Sequence, residues 1–193
     1  LQINIRQELA NKNTAQQVIL DVRAIEEISK VVHEFQKERA LTLSFLSGAT
    51  SDRKKEIIDQ RENTDKAVFS LEKVYKEQHR MIVHYDLMDS LNFIRAKVNA
   101  FRPVEEVDPF YRDIKSVLLD GVSDILRTSK NLTLKNHFEE HLFLLYSKEF
   151  LAQIRSELAI ALAARAFGGT SYGIFASGKG KHDVNLAKFK KIA

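Results

Sequence analysis

The stretch that decides the fold is "AIEEISKVVHEFQKERALTLSFL", residues 24–46. Its apolar side chains fall at Ile25, Ile28, Val32 and Phe35, and the same spacing continues through Arg39, Thr42 and Leu46. The steps alternate between three and four residues. That is the heptad seam of a helix packed lengthwise against other helices. Val18 and Val22 carry the seam backward, so the spacing predicts one helix from near the N-terminus to Leu46, ended by "SGATSD". Residues 15–47 alone would span about 50 Å at about 1.5 Å per residue. One seam position is odd: Arg39 places a guanidinium where its neighbours are Phe, Ile and Leu.

The rest of the chain follows the same helical rule. Ser51 or Asp52 caps a second helix through "KKEIIDQRENTDKAVFSLEKVYKEQ", with a bend near His79. "MIVHYDLMDSLNFIRAKVNAF" continues as helix, with Met88, Leu91, position 95 and Val98 on one face. "RPVEEVDP", residues 102–109, holds both prolines and reads as a connection. "FYRDIKSVLLDGVSDILRTS" is the next amphipathic helix, interrupted only by Gly121, and "KNLT" is a short turn. Leu132 to Phe167 reads as another long helix, with Leu144, position 148, Leu151, position 155, Leu158 and Leu162 on its seam. "GGTSYG" is expected to break it, and "HDVNLAKFKKIA" to be helical again. The fold class is therefore all-α, long antiparallel helices in bundle form. No stretch reads as a linker, so residues 1–193 are taken as one domain.

Composition agrees. Of 193 residues, 44% are hydrophobic and 29% charged, with only 7 Gly and 2 Pro, too few for the many turns of an all-β chain. There is no Cys, which excludes a disulfide framework, thiolate chemistry and Cys-based zinc sites. The net charge of +4 comes from 30 basic and 26 acidic residues, interspersed rather than gathered into a basic stripe. The lysine-rich tail "KGKHDVNLAKFKKIA" reads as a solvated helix end, and no nucleic-acid partner is expected for this stretch of chain. "LAIALAARAFGGTSYGIFASG" is broken by Arg165, Gly168, Gly169 and Gly173 and reads poorly as a membrane span. No signal peptide is evident. The chain starts with Leu, which suits an excised piece of a longer protein.

Catalytic motifs are thin. "HFEEH", His137 to His141, fits H-x-x-E-H, in which two histidines one helical turn apart hold zinc and Glu140 serves as base. No third ligand accompanies it, and a polar helix face is the better reading. "NLT", Asn131 to Thr133, fits a glycosylation acceptor but reads as a turn and cap. No phosphate loop, nucleophile elbow or isolated carboxylate pair is present. No enzyme activity, catalytic residue, metal or cofactor is expected.

The arginines say more. Arg39 lies between Phe35 and Leu46 on its seam, Arg95 between Leu91 and Val98, and Arg155 between Leu151 and Leu158. A buried guanidinium is costly unless an anion and good hydrogen bonds accompany it. Either each pairs with an internal carboxylate, such as Glu38, Glu157 or Asp89, or several converge on a small anionic ligand. The planar fork of Arg suits both. Pattern alone favours internal pairing or snorkelling.

Four stretches, in order, resemble a known family. "VHEFQKERALTLSFLSG" is similar to the first signature of the nitrate- and nitrite-sensing domain family. "QRENTDKAVFSL", "MDSLNFIRAKVNAFRPVEEVDPFYRDIKSVLLDGV" and "LFLLYSKEFLAQIRSELAIALAARAFGG" resemble its later ones, over residues 20–175. The resemblance implies an all-helical ligand-binding module of bacterial chemoreceptors, sensor kinases and cyclic-dinucleotide enzymes. It implies a periplasmic or extracytoplasmic location between transmembrane helices and, as receptors of this kind, a homodimer. A cytosolic antiterminator that binds RNA through another module is the alternative setting. The implied ligand is nitrate or nitrite, held by arginines from different helices. Arg39 and Arg95 match by motif. The family's final Glu-Arg counts onto Glu157 and Leu158, and Arg155, one turn earlier on the seam, is the nearest arginine. Glu38, beside Arg39, would neutralise part of such a site.

Overall fold

A computed structural model of the chain describes residues 2–46, 52–78, 87–129 and 131–192. Six helices account for nearly all of them: α1 (Gln2–Leu46), α2 (Asp52–Glu77), α3 (Leu87–Asn99), α4 (Val104–Thr128), α5 (Leu132–Ala164) and α6 (Gly169–Ile192). No strand occurs among the described residues. The helices form two compact units, Leu1–Lys130 and Asn131–Ala193. The expected cap of α2 at Ser51 and the bend near His79 fall outside the described residues.

The first unit is an up-down-up-down bundle. α1 packs on α2 and α4, and α3 on α2 and α4. Every neighbouring pair is antiparallel. Arg23 meets Glu77 and Gln60 meets Glu34 between α1 and α2. Phe35 meets Tyr111 and Arg39 meets Asp108 between α1 and α4. Asp65 meets Arg95 between α2 and α3. Up-down connectivity follows from short connections, which return each helix beside its predecessor.

The seam of α1 is the buried face. Ile25, Ile28, Val32, Phe35, Arg39 and Thr42 are all buried. Facing them are Ile57, Val68 and Leu71 of α2, Leu91, Ile94 and Val98 of α3, and Tyr111, Leu118, Leu119 and Val122 of α4. Each such side chain contributes about 1.5–3 kcal/mol when fully removed from water. Gly121 of α4 faces the Tyr75 hydroxyl and Ile28, and a Cβ there would meet them at 3.6 and 3.9 Å, ordinary contact distances.

Two helix boundaries differ from expectation. The connection read over residues 102–109 is shorter, because α4 starts at Val104, directly after Pro103, and contains Pro109. Glu105 and Glu106 favour that start by meeting the positive end of the helix dipole. Pro109 has no backbone N–H to donate and so removes one helical hydrogen bond, which the helix absorbs near its beginning. The break expected at "GGTSYG" instead falls at Arg165, which adopts the left-handed conformation at φ 54°. Ala166 N–H then donates to Ala161 O at 3.0 Å and Arg165 N–H to Leu162 O at 3.2 Å, closing a Schellman cap. Gly169 and Gly173 lie in the first turns of α6. The same cap ends α3, with Phe101 at φ 53° and Arg102 N–H on Lys97 O at 3.1 Å.

The second unit is an antiparallel hairpin of α5 and α6. Gly178 packs on Gln153 and Ile154, and His182 on Ser147. Buried Glu157 accepts a hydrogen bond from Ser171. The face of α5 turned to α6 therefore carries Ser147, Ile154, Glu157 and Ala161. The heptad seam read from the sequence lies on another face, where Leu151, Arg155, Leu158 and Leu162 are exposed. A two-helix hairpin covers only one side of each helix, and small residues permit the closest approach there.

Candidate functional site

The seam of α1 turns polar over its last buried turns, Glu38, Arg39 and Thr42. The other helices answer with polar groups at the same level: Asp65 and Arg61 of α2, Arg95 of α3, Asp108 and Tyr111 of α4. Register forces this, because antiparallel packing brings the C-terminal part of α1 opposite the N-terminal part of α4.

Arg95 and Glu38 form the centre. Arg95 Nε donates to Glu38 Oε1 at 2.9 Å and Nη2 to Oε2 at 2.8 Å, a bidentate fork on a carboxylate that is 0% exposed. Nη1 donates to Asp65 at 2.6 Å, and Nη2 also donates to the Arg61 carbonyl at 3.2 Å. Burial works against the charge on Arg95, but the hydrogen bonds and charge of Glu38, then those of Asp65, outweigh it. They hold the guanidinium above its ordinary value. Of the carboxylates the sequence offers as partners, Glu38 is the one Arg95 takes.

Arg39, one residue on from Glu38, points to α4. Its Nε donates to Asp108 Oδ1 at 2.6 Å, and Arg112 meets the other oxygen of Asp108 at 3.2 Å. Arg39 is buried, yet its Nη2 has no acceptor. Sequence reasoning missed Asp108 because it lies in the stretch read as a connection.

Tyr111 donates its hydroxyl to Glu38 Oε1 at 3.1 Å and sets its ring edge-on to Phe35. Burial, followed by the negative charge of Glu38, pushes the phenol well above its ordinary value of 10.0. The Thr42 hydroxyl faces this phenol without meeting hydrogen-bond geometry, and its oxygen is buried without a partner. A raised phenol value stabilises the fold fully below the unfolded-state value near pH 10, and that contribution is lost as pH rises above it. In an ultraviolet titration of the native chain, one of the five tyrosines should stay protonated well past that pH. Tyr111→Phe should remove this resistant phenol. Five ordinary midpoints in the native protein would contradict the arrangement.

Arg61 completes the layer. Its Nη1 donates to Asn99 Oδ1 at 3.0 Å, while Nε and Nη2 are buried without acceptors. Burial pushes its guanidinium below the ordinary value. Glu38 opposes that shift, and the neighbouring charge of Arg95 adds to it. One signal in the sequence points to this residue: Gln60 and Thr64 interrupt the apolar seam of α2 on either side of it.

Arg155 belongs to the other unit, exposed on α5. The side chain of His137, one half of the zinc-like motif, lies outside the described residues. Among the described residues no group of three His, Asp or Glu side chains is placed to hold a metal. No described helix is long and apolar enough to cross a membrane.

Chemically, the layer is a set of fixed N–H donors with some of their capacity unused. No curated protein and no solved structure matches the chain. The family model described as nitrate and nitrite sensing matches residues 30–193, which takes in α2 to α6 and the part of α1 that carries Glu38 and Arg39. The chain thus belongs to the nitrate- and nitrite-sensing family.

Proposed function

We propose that this sensing domain binds a small monovalent oxyanion, nitrate or nitrite in kind, through arginines held between helices, and reports it by a shift of those helices. The observation that supports this most is Arg39 Nη2, a charged donor buried without an acceptor although its Nε is paired. Buried donors in folded proteins are nearly always satisfied, so such an atom marks a place where an acceptor binds. Arg95 joins Arg39 in the proposal, and Arg155, in the second unit, is a separate candidate. Arg95 lies in the same layer and is oriented by Glu38 and Asp65. Arg155 is nominated by the family resemblance, and an exposed guanidinium is open to a ligand.

The domain carries no catalysis of its own. An anion seated against α1 favours one position of that helix relative to α2 and α4, and the length of α1 carries the change outward. The shift equals the difference in affinity between the two positions, no more. The setting proposed is one extracytoplasmic domain of a bacterial receptor spanning 1–193, flanked by transmembrane helices and working as a homodimer.

Calorimetric titration of the chain with sodium nitrate, sodium nitrite and small carboxylates tests the reading. Arg39→Ala should weaken the best of these by roughly tenfold or more, the worth of a charge-assisted hydrogen bond. Absence of heat with every anion, or unchanged binding in Arg39→Ala, would sink it. A second reading has one observation in its favour: Arg95 is already engaged by two carboxylates. In that reading the arginines are structural and the bundle is an interaction module, which a silent titration would favour.

A further inference from the structure

Four guanidinium groups meet in this layer, and they are not alike. Arg39 and Arg112 pair with Asp108, and Arg95 with Glu38 and Asp65. Arg61 forms no ion pair among the described residues; its hydrogen-bond partner is the neutral amide of Asn99. Two of its three nitrogens, Nε and Nη2, are buried without an acceptor. They lie on adjacent edges of the fork, the pair that engages two oxygens of one planar anion.

Position supports convergence. Arg61 and Asn99 lie one helical turn from Asp65 and Arg95, on the side towards the end of α1. Thr42 lies one turn beyond Glu38 in the same direction, with its hydroxyl buried and unpartnered. Arg61 is close enough for its charge to act on Tyr111, the phenol that Thr42 faces.

We infer that Arg61 is the principal ligand-binding residue of this site, that Thr42 assists it, and that its single unpaired charge selects a planar monoanion over a dianion. The inference rests on the anion-binding reading above and deepens it. Arg95 is here a positioning residue: its Nη2 bond to the Arg61 carbonyl holds the backbone from which Arg61 reaches. The carboxylates Glu38, Asp65 and Asp108 are taken by Arg95, Arg39 and Arg112, so Arg61 is the guanidinium left without a carboxylate partner. A planar ion with oxygens at trigonal spacing fits the free edge. A tetrahedral dianion brings a second negative charge into a layer that already holds three carboxylates.

The test is thermal unfolding of the full chain, alone and with sodium nitrate, sodium nitrite, sodium formate or sodium sulfate at matched ionic strength. A ligand that binds only the native state raises its melting temperature. Arg61→Gln should lose the response to nitrate and nitrite, with affinity down roughly tenfold or more. Without anion it should melt no lower than the parent, because it removes a half-buried charge that no carboxylate pairs. Arg61→Lys keeps the charge but not the fork, and should bind more weakly while folding as well. Unchanged nitrate response in Arg61→Gln, beside a responding parent, overturns this inference and leaves the anion-binding reading intact. A marked loss of anion-free stability in both variants overturns it too, since Arg61 would then be structural. Stronger stabilisation by sulfate than by nitrate overturns the charge selection. A parent that answers no anion removes the broader reading and this one with it.

Discussion

Glu38→Ala is expected to destabilise the α1–α4 bundle by about 3–5 kcal/mol, the loss that follows when one member of a buried ion pair is removed. Glu38 accepts hydrogen bonds from Arg95 Nε, Arg95 Nη2 and the Tyr111 hydroxyl. Removing it leaves a buried guanidinium with Asp65 as its one carboxylate beside the Arg61 carbonyl, and takes away the acceptor of the buried Tyr111 phenol. Asp65 cannot take over, because its side chain is 40% exposed and solvent screens its attraction to Arg95. The contrast between the two carboxylates is itself informative. Asp65→Ala should cost about 1 kcal/mol or less, as part-exposed ion pairs do. Glu38→Met combined with Arg95→Leu should recover most of the loss, since the pair is then replaced by apolar volume. Urea unfolding followed by circular dichroism gives all three values. A Glu38→Ala loss below about 1 kcal/mol would show that the buried fork carries little net stability.

Phe35→Ala is the second large effect, about 3–5 kcal/mol and a melting temperature lower by on the order of 10–20 °C. Phe35 is 0% exposed and sits where α1 meets α4. Its truncation leaves a cavity that long helices close poorly, since any collapse must move a whole helix rather than one loop. The effect should also reach the polar layer. The Phe35 ring meets the Tyr111 ring at 6.3 Å and 67°, which fixes where the Tyr111 hydroxyl points. Phe35→Ala should therefore make the resistant phenol ionise more readily, whereas Phe35→Leu should keep it protected and lose less stability. Equal phenol behaviour in the two variants would show that Glu38 alone orients Tyr111.

Much of the bundle was legible because a helix repeats its side-chain directions along its own length. Ile25, Ile28, Val32 and Phe35 announce a buried face with no knowledge of what covers it, and the same rule flagged Arg39 and Arg95 as out of place. Where the rule misled, a second helix was needed to decide. The α5 seam through Leu151, Leu158 and Leu162 has heptad spacing, yet α6 packs on Ser147, Glu157 and Ala161. Periodicity reports that an apolar face exists; it does not report which face the next helix takes. Prolines misled in a different way. Pro103 and Pro109 together suggested a loop, but only Pro103 precedes the helix, and Asp108 was hidden inside the supposed connection.

The amino-acid sequence by itself determined that this is an all-helical chain, that α1 is buried along one stripe, and that arginines stand on that stripe. Its family signatures also follow from local order, which needs no contact map. Only the tertiary structure decided which carboxylate each arginine takes. Glu38 turns to α3 and Arg39 to α4, although they are adjacent in the chain, and Arg61 is left with no carboxylate at all. The physical reason is that a helix face is set by a repeat within one segment. Whether a buried donor finds its acceptor depends on the register of four helices at once, and no single segment encodes that register.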